Sequence, residues 1–496
     1  MPLNPAHLIR SIVTLGIAQL ITWIGAAALA VLLPRYLGDA NLGKLAFGLA
    51  FTTLLGLLPD LGTATFLTKE VARAPERALT LTTTTFGMRL VLGALAFAGA
   101  ATVATFGDQD DLTRRILYVM SAGMLVVSLS SAAVATLQGL QRIRALAAFS
   151  LATKLGYAGI AVAVLVAGFG PLEVACAWVV SQALGLAVAL LALAKHTSGS
   201  LRPVLDRATV RLLLAGGLPF FMWQSALMVY GQVDAVILSF LTQEAVVGWY
   251  AAAYRLVTIP VFLPTIVLTV LFPALSATAS TPGAYNALVR RALHLVLVPS
   301  LPVVLGIMLL ADRIIGFLGY PDSFQQSVFP MVLLAPHVLL VGLNMVLGTV
   351  LNTRDRQKSW ALAAVGAAIL NPLLNVPAIA YTQTAFGNGA LGAAVVTTLT
   401  ELFMLVSALY LMPRHVLSRA VARDVARCMA AGGCMSLVVW SARDLPLLAI
   451  VAAGGVVYAG ACAALGVVTA AELHQVRIHL LHRSGTDLAP TYEPIS

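Results

Sequence analysis

The sequence has 496 residues, of which 60% are hydrophobic and 10% charged, and its formal net charge is +10. Soluble globular domains carry roughly 25% charged residues, so this composition excludes a soluble catalytic domain and places the chain in a lipid bilayer. The positive charge does not indicate nucleic-acid binding, because the Lys and Arg residues lie between apolar stretches and not in one basic patch.

Apolar stretches of membrane-spanning length recur along the whole chain. The first, about residues 11–33, is too long for the roughly 7 to 15 apolar residues of a secretory signal, so it is predicted to be the first span. The spans predicted in the first half are 8–34, 42–68, 79–106, 113–138, 145–169 and 171–194. Those predicted after a polar break are 211–240, 244–277, 286–318, 325–352, 358–382, 388–412, 425–442 and 446–471.

The loop cations give these helices a direction, because Lys and Arg accumulate on the cytoplasmic side of membrane proteins. With the N-terminus inside, 23 of the 30 Lys and Arg residues fall at the inner side. The outer side receives only Arg35, Lys44, Arg114, Arg115, Arg313 and Arg443, and Arg255 lies within a span. Both termini are therefore predicted to be cytoplasmic.

Short echoes relate the two halves of the sequence. They pair LGDANLGKLAFGLA (37–50) with LTQEAVVGWYAAAY (241–254), which has one inserted residue, LQGLQR (137–142) with LNTRDR (351–356), and FGPLEVACA (169–177) with FGNGALGAA (386–394). The offset spans six helices, and an even number preserves orientation. Parallel repeats related by an axis along the membrane normal are therefore predicted.

The predicted fold is an all-α integral membrane protein of about fourteen transmembrane helices. Two parallel six-helix lobes would enclose a cleft, and rocking of the lobes would expose it to each side in turn. The predicted parts are a first lobe at 1–195, a cytoplasmic linker at 196–210, a second lobe at 211–415, two accessory helices at 416–471, and a cytoplasmic tail at 472–496.

Motifs typical of enzymes or metal sites have simpler explanations here. GDANLGKL at 38–45 has the GxxxxGK pattern of a phosphate loop, but Leu45 replaces the required Ser or Thr and no strand precedes it, so ATP binding is not predicted. Asp108-Gln109-Asp110 lies in a short outer loop and is interpreted as a solvated acidic loop. Neither a metal nor a cofactor is predicted for the cysteines or for the C-terminal histidines, which are Cys176, Cys428, Cys434, Cys462, His474, His479 and His482.

Six charged residues are singled out by their depth inside predicted spans, where a charge costs roughly 2.5 to 3.5 kcal/mol and is kept mainly when it is paired or functional. They are Asp60, Arg89, Lys154, Asp234, Arg255 and Glu401. One interpretation is structural pairing, of Asp60 with Arg89 and of Asp234 with Arg255. The other is a cationic cleft, in which Arg and Lys neutralise a diphosphate while an acidic residue binds a coupling proton or sodium ion.

Several segments resemble the polysaccharide flippases of O-antigen flippase (Wzx) type, within the multidrug/oligosaccharidyl-lipid/polysaccharide exporter superfamily. These segments are PRYLGDANLGKLAFGLAF (34–51), PDLGTATFLTKEVAR (59–73), LQGLQR (137–142) and VDAVILSFLTQEAVVGWYAAAYRL (233–256). The resemblance covers about residues 8–415, and Asp60, Asp234 and Arg255 occupy its motif positions.

The resemblance implies a flippase of the bacterial cytoplasmic membrane that moves undecaprenyl-diphosphate-linked oligosaccharide to the outer leaflet, coupled to an ion gradient. Arg255, Arg89 and Lys154 would bind the substrate, and Asp60, Asp234 and Glu401 would couple the ion or form structural pairs. A polysaccharide polymerase or chain-length protein is a possible partner. The alternatives are a cation-coupled multidrug exporter of the same superfamily, with an acidic and aromatic cleft, and a membrane glycan polymerase or glycosyltransferase.

Overall fold

The structure is a computed structural model that describes residues 5–197, 199–278, 281–412 and 419–467. The predicted cytoplasmic tail at 472–496, with its three histidines, lies outside the described residues. Within the described ranges the regular structure is entirely helical. The predicted fold class is therefore confirmed.

The helices follow the predicted spans closely. The first lobe contains α1 (Pro5–Leu55), α2 (Leu57–Asp60), α3 (Thr63–Arg73), α4 (Ala78–Phe106), α5 (Asp111–Gly139), α6 (Ile143–Val166) and α7 (Pro171–His196). The second lobe contains α8 (Arg207–Leu241), α9 (Glu244–Thr258), α10 (Phe262–Ala277), α11 (Pro282–Phe317), α12 (Val328–Thr353), α13 (Gln357–Phe386) and α14 (Ala390–Leu411). The accessory helices are α15 (Arg419–Ser441) and α16 (Leu447–Ala464).

Twelve of the described helical stretches are long and apolar enough to cross a membrane. The first of them, Ile21–Asp60, contains a non-helical residue at Gly38 and so holds two of the predicted spans. The described part of α15 is less apolar, because its first half carries Arg423, Asp424 and Arg427. These two features account for the difference from the predicted fourteen.

The chain reverses its direction at Gly38, a non-helical residue inside α1 with φ 74°. The segment after this glycine runs beside α5. Lys44 forms an ion pair with Asp110 at the start of α5, and Gly139 at the end of α5 lies against Val71 of α3. The chain from Lys44 to Val71 therefore runs in the same direction as α5. A glycine suits the reversal, since it adopts positive φ at little cost.

The second predicted span, 42–68, is interrupted, whereas the sequence pattern predicts one continuous helix. Leu61 and Gly62 have φ of 42° and 72°, so that the short α2 ends and α3 begins there. The predicted span 244–277 is also divided, by a 3-10 turn at Ile259–Val261 whose Pro260 has no amide hydrogen to continue the helix.

The repeat predicted from the sequence echoes is visible in backbone geometry. Gln141 and Asp355, at equivalent positions of LQGLQR and LNTRDR, both have φ 57°. Each is followed by an arginine, Arg142 or Arg356, whose amide donates to the carbonyl oxygen five residues earlier at 2.9 Å. Two non-glycine residues in the left-handed region at matching places indicate that both turns have one conformation.

The linker between the lobes begins after His196 and ends before Arg207. It lies along α4 of the first lobe, where the amide of Val204 donates to the carbonyl oxygen of Thr83 at 3.1 Å. Gly87 makes this approach possible, because a β-carbon there would lie 2.4 Å from the carbonyl oxygen of Val204. The limits of the predicted domains stay a prediction.

Candidate functional site

The two lobes touch closely at their predicted outer ends, where α1 meets α9. A β-carbon on Gly43 would lie 1.9 Å from the carbonyl oxygen of Glu244, and one on Gly248 would lie 1.9 Å from that of Asp39. The indole of Trp249 donates to the carboxylate of Asp39 at 2.9 Å. Glycine alone permits backbones to approach so closely, so the outer end is closed in this conformation.

A second contact joins the lobes farther from the outer face. At the break between α2 and α3, a β-carbon on Gly62 would lie 2.3 Å from the carbonyl oxygen of Gly217 in α8. The Tyr320 hydroxyl donates to the carbonyl oxygen of Ala30 at 2.6 Å, close to the outer contact. Apolar side chains of both lobes pack around these contacts, and no ion pair joins the two lobes in the part of the chain that the structure describes.

Asp60 and Arg89 form an ion pair inside the first lobe. The Arg89 guanidinium, whose side chain is fully buried, donates to Asp60, to the hydroxyl of Thr63, to the carbonyl oxygen of Ser128, and to the hydroxyl of Ser131 at 2.7 Å. The structural pairing weighed for these two residues is thus present. The guanidinium of Arg89 therefore bonds to atoms of the first lobe, and no part of its side chain is exposed.

Arg255 and Lys154 have different surroundings. In the part of the chain that the structure describes, neither forms an ion pair with a carboxylate or a side-chain hydrogen bond. Arg255 is half-buried in α9, close to the phenols of Tyr157 and Tyr320, and Lys154 is exposed on α6 one turn before Tyr157. Residues three apart share a helix face, so Lys154 and Tyr157 present toward the same side.

These two cations lie at similar depth. Each is eleven residues from a helix start, α9 at its predicted outer end and α6 at its predicted inner end, which corresponds to about 16 Å. That is near the middle of a hydrocarbon layer of about 30 Å. Unpaired charge at this depth requires water or an anionic ligand, because hydrocarbon does not solvate it.

Asp234 does not pair with Arg255, so the second pairing weighed from the sequence is wrong. Its carboxylate accepts from the hydroxyl of Tyr250 at 2.8 Å, the hydroxyl of Thr397 at 2.6 Å and the amide of Asn375 at 2.7 Å. Asn375 also donates to the side-chain oxygen of Asn371 at 2.8 Å. Several oxygens therefore surround one buried carboxylate in the second lobe.

Glu401 lies one helical turn beyond Thr397 on α14. Its carboxylate accepts from Asn344 at 2.8 Å, and its other oxygen lies 3.9 Å from Nδ1 of His337. The side-chain oxygen of Asn344 and Nδ1 of His337 are buried and have no hydrogen-bond partner among the described atoms. Glu401 is thus a buried acid whose polar surroundings are incompletely satisfied.

A cavity of about 550 Å³ connects these acidic residues inside the second lobe. It passes Asp234 and Glu401 and continues to Asn352, close to the predicted inner turn between α12 and α13. Its aromatic lining comprises Trp223, Tyr230, Tyr254 and Trp360. The wall contains no Arg or Lys among the described residues, so this cavity is acidic and aromatic.

The outer-loop motifs combine in one structural contact. Asp110, from the DxD-like sequence, caps α5 by accepting from the amide of Thr113 at 3.0 Å, and it pairs with Lys44 of the phosphate-loop-like sequence. Partial burial opposes the charge of Asp110, but the hydrogen bonds from Lys44 and Thr113 hold the pKa of this carboxyl below its ordinary value. Both motifs are explained by loop structure.

Most of the polar residues that surround Asp234 and Glu401 were not predicted from the sequence. They include His337, Asn344, Asn371, Asn375 and Thr397. The amides at 371 and 375 are four residues apart in the apolar helix α13, and polar side chains at that spacing within a span were a usable signal. Threonines are common in spans, so Thr397 carried no such signal.

The described helices form two lobes, and twelve of the helical stretches are long and apolar enough to cross a membrane. The lipid II flippase MurJ, in an inward closed conformation, has a TM-score of 0.74 to this chain at 14% identity, covering 95% of this chain and 99% of the other. An inward-facing multidrug resistance transporter of the MATE family, from the MOP superfamily, has a TM-score of 0.59 at 15% identity, covering 81% and 97%. At these identities the likeness shows the fold alone.

Sequence comparison identifies the family. A family model described as polysaccharide biosynthesis protein matches residues 8–279, and the chain belongs to that family. A probable low-salt glycan biosynthesis flippase of Haloferax volcanii, Agl15, is 25% identical over 224 residues. The match covers 45% of this chain and 44% of that relative, so it spans less than half the length of each.

Proposed function

We propose that this protein is a flippase that carries undecaprenyl-diphosphate-linked oligosaccharide from the cytoplasmic to the outer leaflet of a bacterial cytoplasmic membrane. It does so by alternating access of its two lobes, which move as units. The family and the MurJ-like fold support flipping of a lipid-linked saccharide. The saccharide, the bacterial membrane and the cytoplasmic termini belong to the proposal.

The observation that carries the proposal is the placement of Arg255. Its guanidinium lies at mid-depth beside residues of both lobes, without a carboxylate partner in the described part of the chain. A diphosphate crossing the membrane needs charge-assisted hydrogen bonds at this depth, and a guanidinium supplies them in a planar, two-pronged arrangement. Lys154 adds a second positive charge from the first lobe.

Arg89 has a different role in this proposal from the one its depth suggested. Because its guanidinium is already bonded to Asp60, Ser128 and Ser131, it stabilises the first lobe and does not bind the substrate. Asp60 for the same reason belongs to this structural pair. The substrate-facing cations are therefore Arg255 and Lys154.

The ion that drives transport binds, in this proposal, at Asp234. The carboxylate, the hydroxyl of Thr397 and the unpartnered side-chain oxygen of Asn375 provide the oxygen ligands that hard cations prefer, and a proton is the other candidate ion. The site lies within one lobe, so that ion binding and substrate binding use different residues. Asp234→Asn should abolish the dependence of flipping on an imposed sodium or proton gradient.

The test of the proposed function is transport into inverted membrane vesicles or proteoliposomes. The wild-type protein should move labelled lipid-linked oligosaccharide faster than empty vesicles do. Arg255→Gln should reduce the transport rate about 10-fold or more, because a charge-assisted hydrogen bond to the diphosphate is lost. Insertion of the variant into the membrane should stay normal. Arg115→Gln, on an exposed outer helix end, is the matched control and should keep the rate. Movement no faster than in empty vesicles would refute the proposal.

One observation favours a second candidate, a cation-coupled multidrug exporter. The cavity of the second lobe is acidic and aromatic, and the described part of its wall lacks Arg and Lys, as a site for an organic cation would. The same vesicles separate the two candidates. Uptake of a cationic dye that depends on Asp234 and Glu401 but not on Arg255 would favour the exporter.

A further inference from the structure

We propose that Glu401 and His337 form a proton-binding site, distinct from the ion site at Asp234, that exchanges one proton with the predicted cytoplasmic side through the cavity of the second lobe. The inference rests on the proposed function only for the use of that proton in transport. Proton binding itself follows from the arrangement of the two side chains.

The buried carboxylate of Glu401 is incompletely solvated. Only 3% of the residue is exposed, and in the described part of the chain its carboxylate accepts one side-chain hydrogen bond, from the neutral amide of Asn344. No Lys or Arg of the described chain lies within 4.0 Å of it. A buried carboxylate with one neutral donor is costly. Asp234, with three donors, is in contrast well compensated.

His337 lies beside this carboxylate. Its Nδ1 faces the carboxylate at 3.9 Å and is buried without a hydrogen-bond partner among the described atoms. A rotation that brings the two atoms about 1 Å closer gives a normal hydrogen bond. One proton then satisfies both groups, either on the carboxyl, which donates to Nδ1, or on the imidazole, which donates to the carboxylate. The pair therefore binds one proton more readily than either group alone.

The surroundings of Glu401 contain other titratable groups, which must be distinguished from it. Helix α8 presents Tyr230 and Asp234 toward the same cavity, α9 presents Tyr254, and α12 presents His337. From α13 the neighbouring polar groups are amides, of Asn371 and Asn375. The phenols ionise only at high pH in ordinary proteins. The carboxyl and imidazole are thus the groups that exchange protons near neutrality.

The cavity supplies the route. From Glu401 it continues along α12 past Asn344 and Thr349 to Asn352, whose side chain is exposed at the predicted inner turn. Its volume of about 550 Å³ is large enough for more than about ten waters, at roughly 30 Å³ each. The wall is largely apolar, and water hydrogen-bonded to the polar side chains of Asn344, Thr349 and Asn352 transfers protons between the turn and the pair in this proposal.

The site also lies next to the proposed ion site. Thr397, which donates to Asp234, and Glu401 are one turn apart on the same face of α14, separated by about 6 Å along the helix. Tyr254 stacks with Tyr250, a donor to Asp234, and its ring also contacts the ring of His337. A change of hydrogen bonding at His337 therefore reaches the groups around Asp234.

The experiment is infrared difference spectroscopy of the full chain in lipid nanodiscs, titrated from about pH 5 to about pH 8. The wild-type protein should show the carbonyl band of a protonated, buried carboxyl that disappears as the pH rises. In an Asp234→Asn background, which removes the other buried carboxyl of the cavity, Glu401→Gln should lack this titrating band, while Glu76→Gln, on an exposed turn, should keep it. A band that survives in Glu401→Gln, or no titrating band in the wild type, would overturn the proposal.

A second variant decides the question if Glu401→Gln fails to fold. In His337→Asn the carboxyl loses the imidazole with which it shares the proton, so the midpoint of the band should move to lower pH, and an unchanged midpoint would overturn the proposal. These readouts do not use lipid-linked oligosaccharide. A positive titration without flipping would therefore refute the proposed function and leave the proton site in place.

Discussion

Gly43 and Gly248 occupy equivalent positions in the two sequence repeats, and in the structure they meet reciprocally. A β-carbon on Gly43 would collide with the carbonyl oxygen four residues before Gly248, and one on Gly248 with the carbonyl oxygen four residues before Gly43, at 1.9 Å in both cases. The pseudo-two-fold axis between the lobes therefore passes through this contact. Alternating access must separate these two backbones when the outer end opens.

Gly248→Ala should weaken the closure of the outer end, because the new methyl group forces α9 away from Asp39. We expect the population with an open outer end to rise. The measurement is the labelling rate of a single cysteine introduced at Ala251, which is 8% exposed, by a membrane-impermeant thiol reagent in a cysteine-free background. The rate should increase several-fold.

Gly316→Ala in α11 is the matched control, since a β-carbon there meets no atom within 4 Å. It should leave the labelling rate unchanged. Equal rates in Gly248→Ala and in the control would mean that the close approach of the two helices does not limit opening.

Arg89→Gln should strongly destabilise the protein, because it leaves the carboxylate of Asp60 buried without its cation. Breaking a buried ion pair costs about 3 to 5 kcal/mol, whereas removing both charges costs much less. The melting temperature of the double variant Asp60→Asn/Arg89→Gln in detergent should therefore lie well above that of Arg89→Gln. The pairing would be contradicted if the melting temperature of the double variant were as low as the value obtained by adding the effects of the two single variants.

Flipping by the same double variant tests the role of Arg89 directly. If Arg89 is structural, the folded double variant keeps its transport rate within a few-fold of the wild type. A double variant that folds and inserts normally but transports nothing would return Arg89 to the substrate-binding residues.

Lys154→Gln should raise the half-saturating concentration of lipid-linked oligosaccharide by about 10-fold, because one charge-assisted hydrogen bond to the diphosphate is lost. The maximal rate should change less, since Arg255 remains. Concentration series in proteoliposomes measure both. Lys195→Gln, an exposed lysine at the predicted inner end of α7, should leave both parameters unchanged, and equal effects of the two variants would argue against a specific role for Lys154.

Gly87→Ala should detach the linker from the first lobe, since its β-carbon would lie 2.4 Å from the carbonyl oxygen of Val204. Hydrogen exchange of the amide of Val204, which donates to Thr83, should become faster. Mass spectrometry of the peptide that covers 199–206 measures this. Gly99→Ala in the same helix meets no atom within 4 Å and should not change the exchange, whereas equal exchange in both variants would contradict the docking.

Much of the fold was accessible from hydropathy and charge. Spans were predicted to within a few residues, and the turns at Gln141 and Asp355 confirm the duplication that short echoes indicated. The interruption at Leu61 and Gly62 was missed, although Pro59 and Gly62 are residues typical of turns, because the flanking residues are apolar enough to continue a span.

The candidate site was only partly predictable. Counting residues along a helix gives the depth of a charge, so Asp60 and Arg89 were placed in one layer, where they meet. Depth does not give the direction in which a side chain projects around the helix. The partner predicted for Asp234 was therefore wrong. Its actual hydrogen-bond donors, Tyr250, Thr397 and Asn375, lie on three different helices, and only the packing of these helices brings them together.

The reciprocal contact of Gly43 and Gly248 has the symmetry of an isologous interface, in which two identical subunits present the same patch to each other. Such a patch suits a homodimer of single lobes, whose fusion gives a chain of this kind. Fusion also frees each copy to diverge. The residue after the first glycine, Lys44, pairs with Asp110 inside its own lobe, whereas its counterpart Trp249 crosses to Asp39 of the other lobe. A symmetric dimer must use one residue for both purposes, and the fused chain assigns them to two.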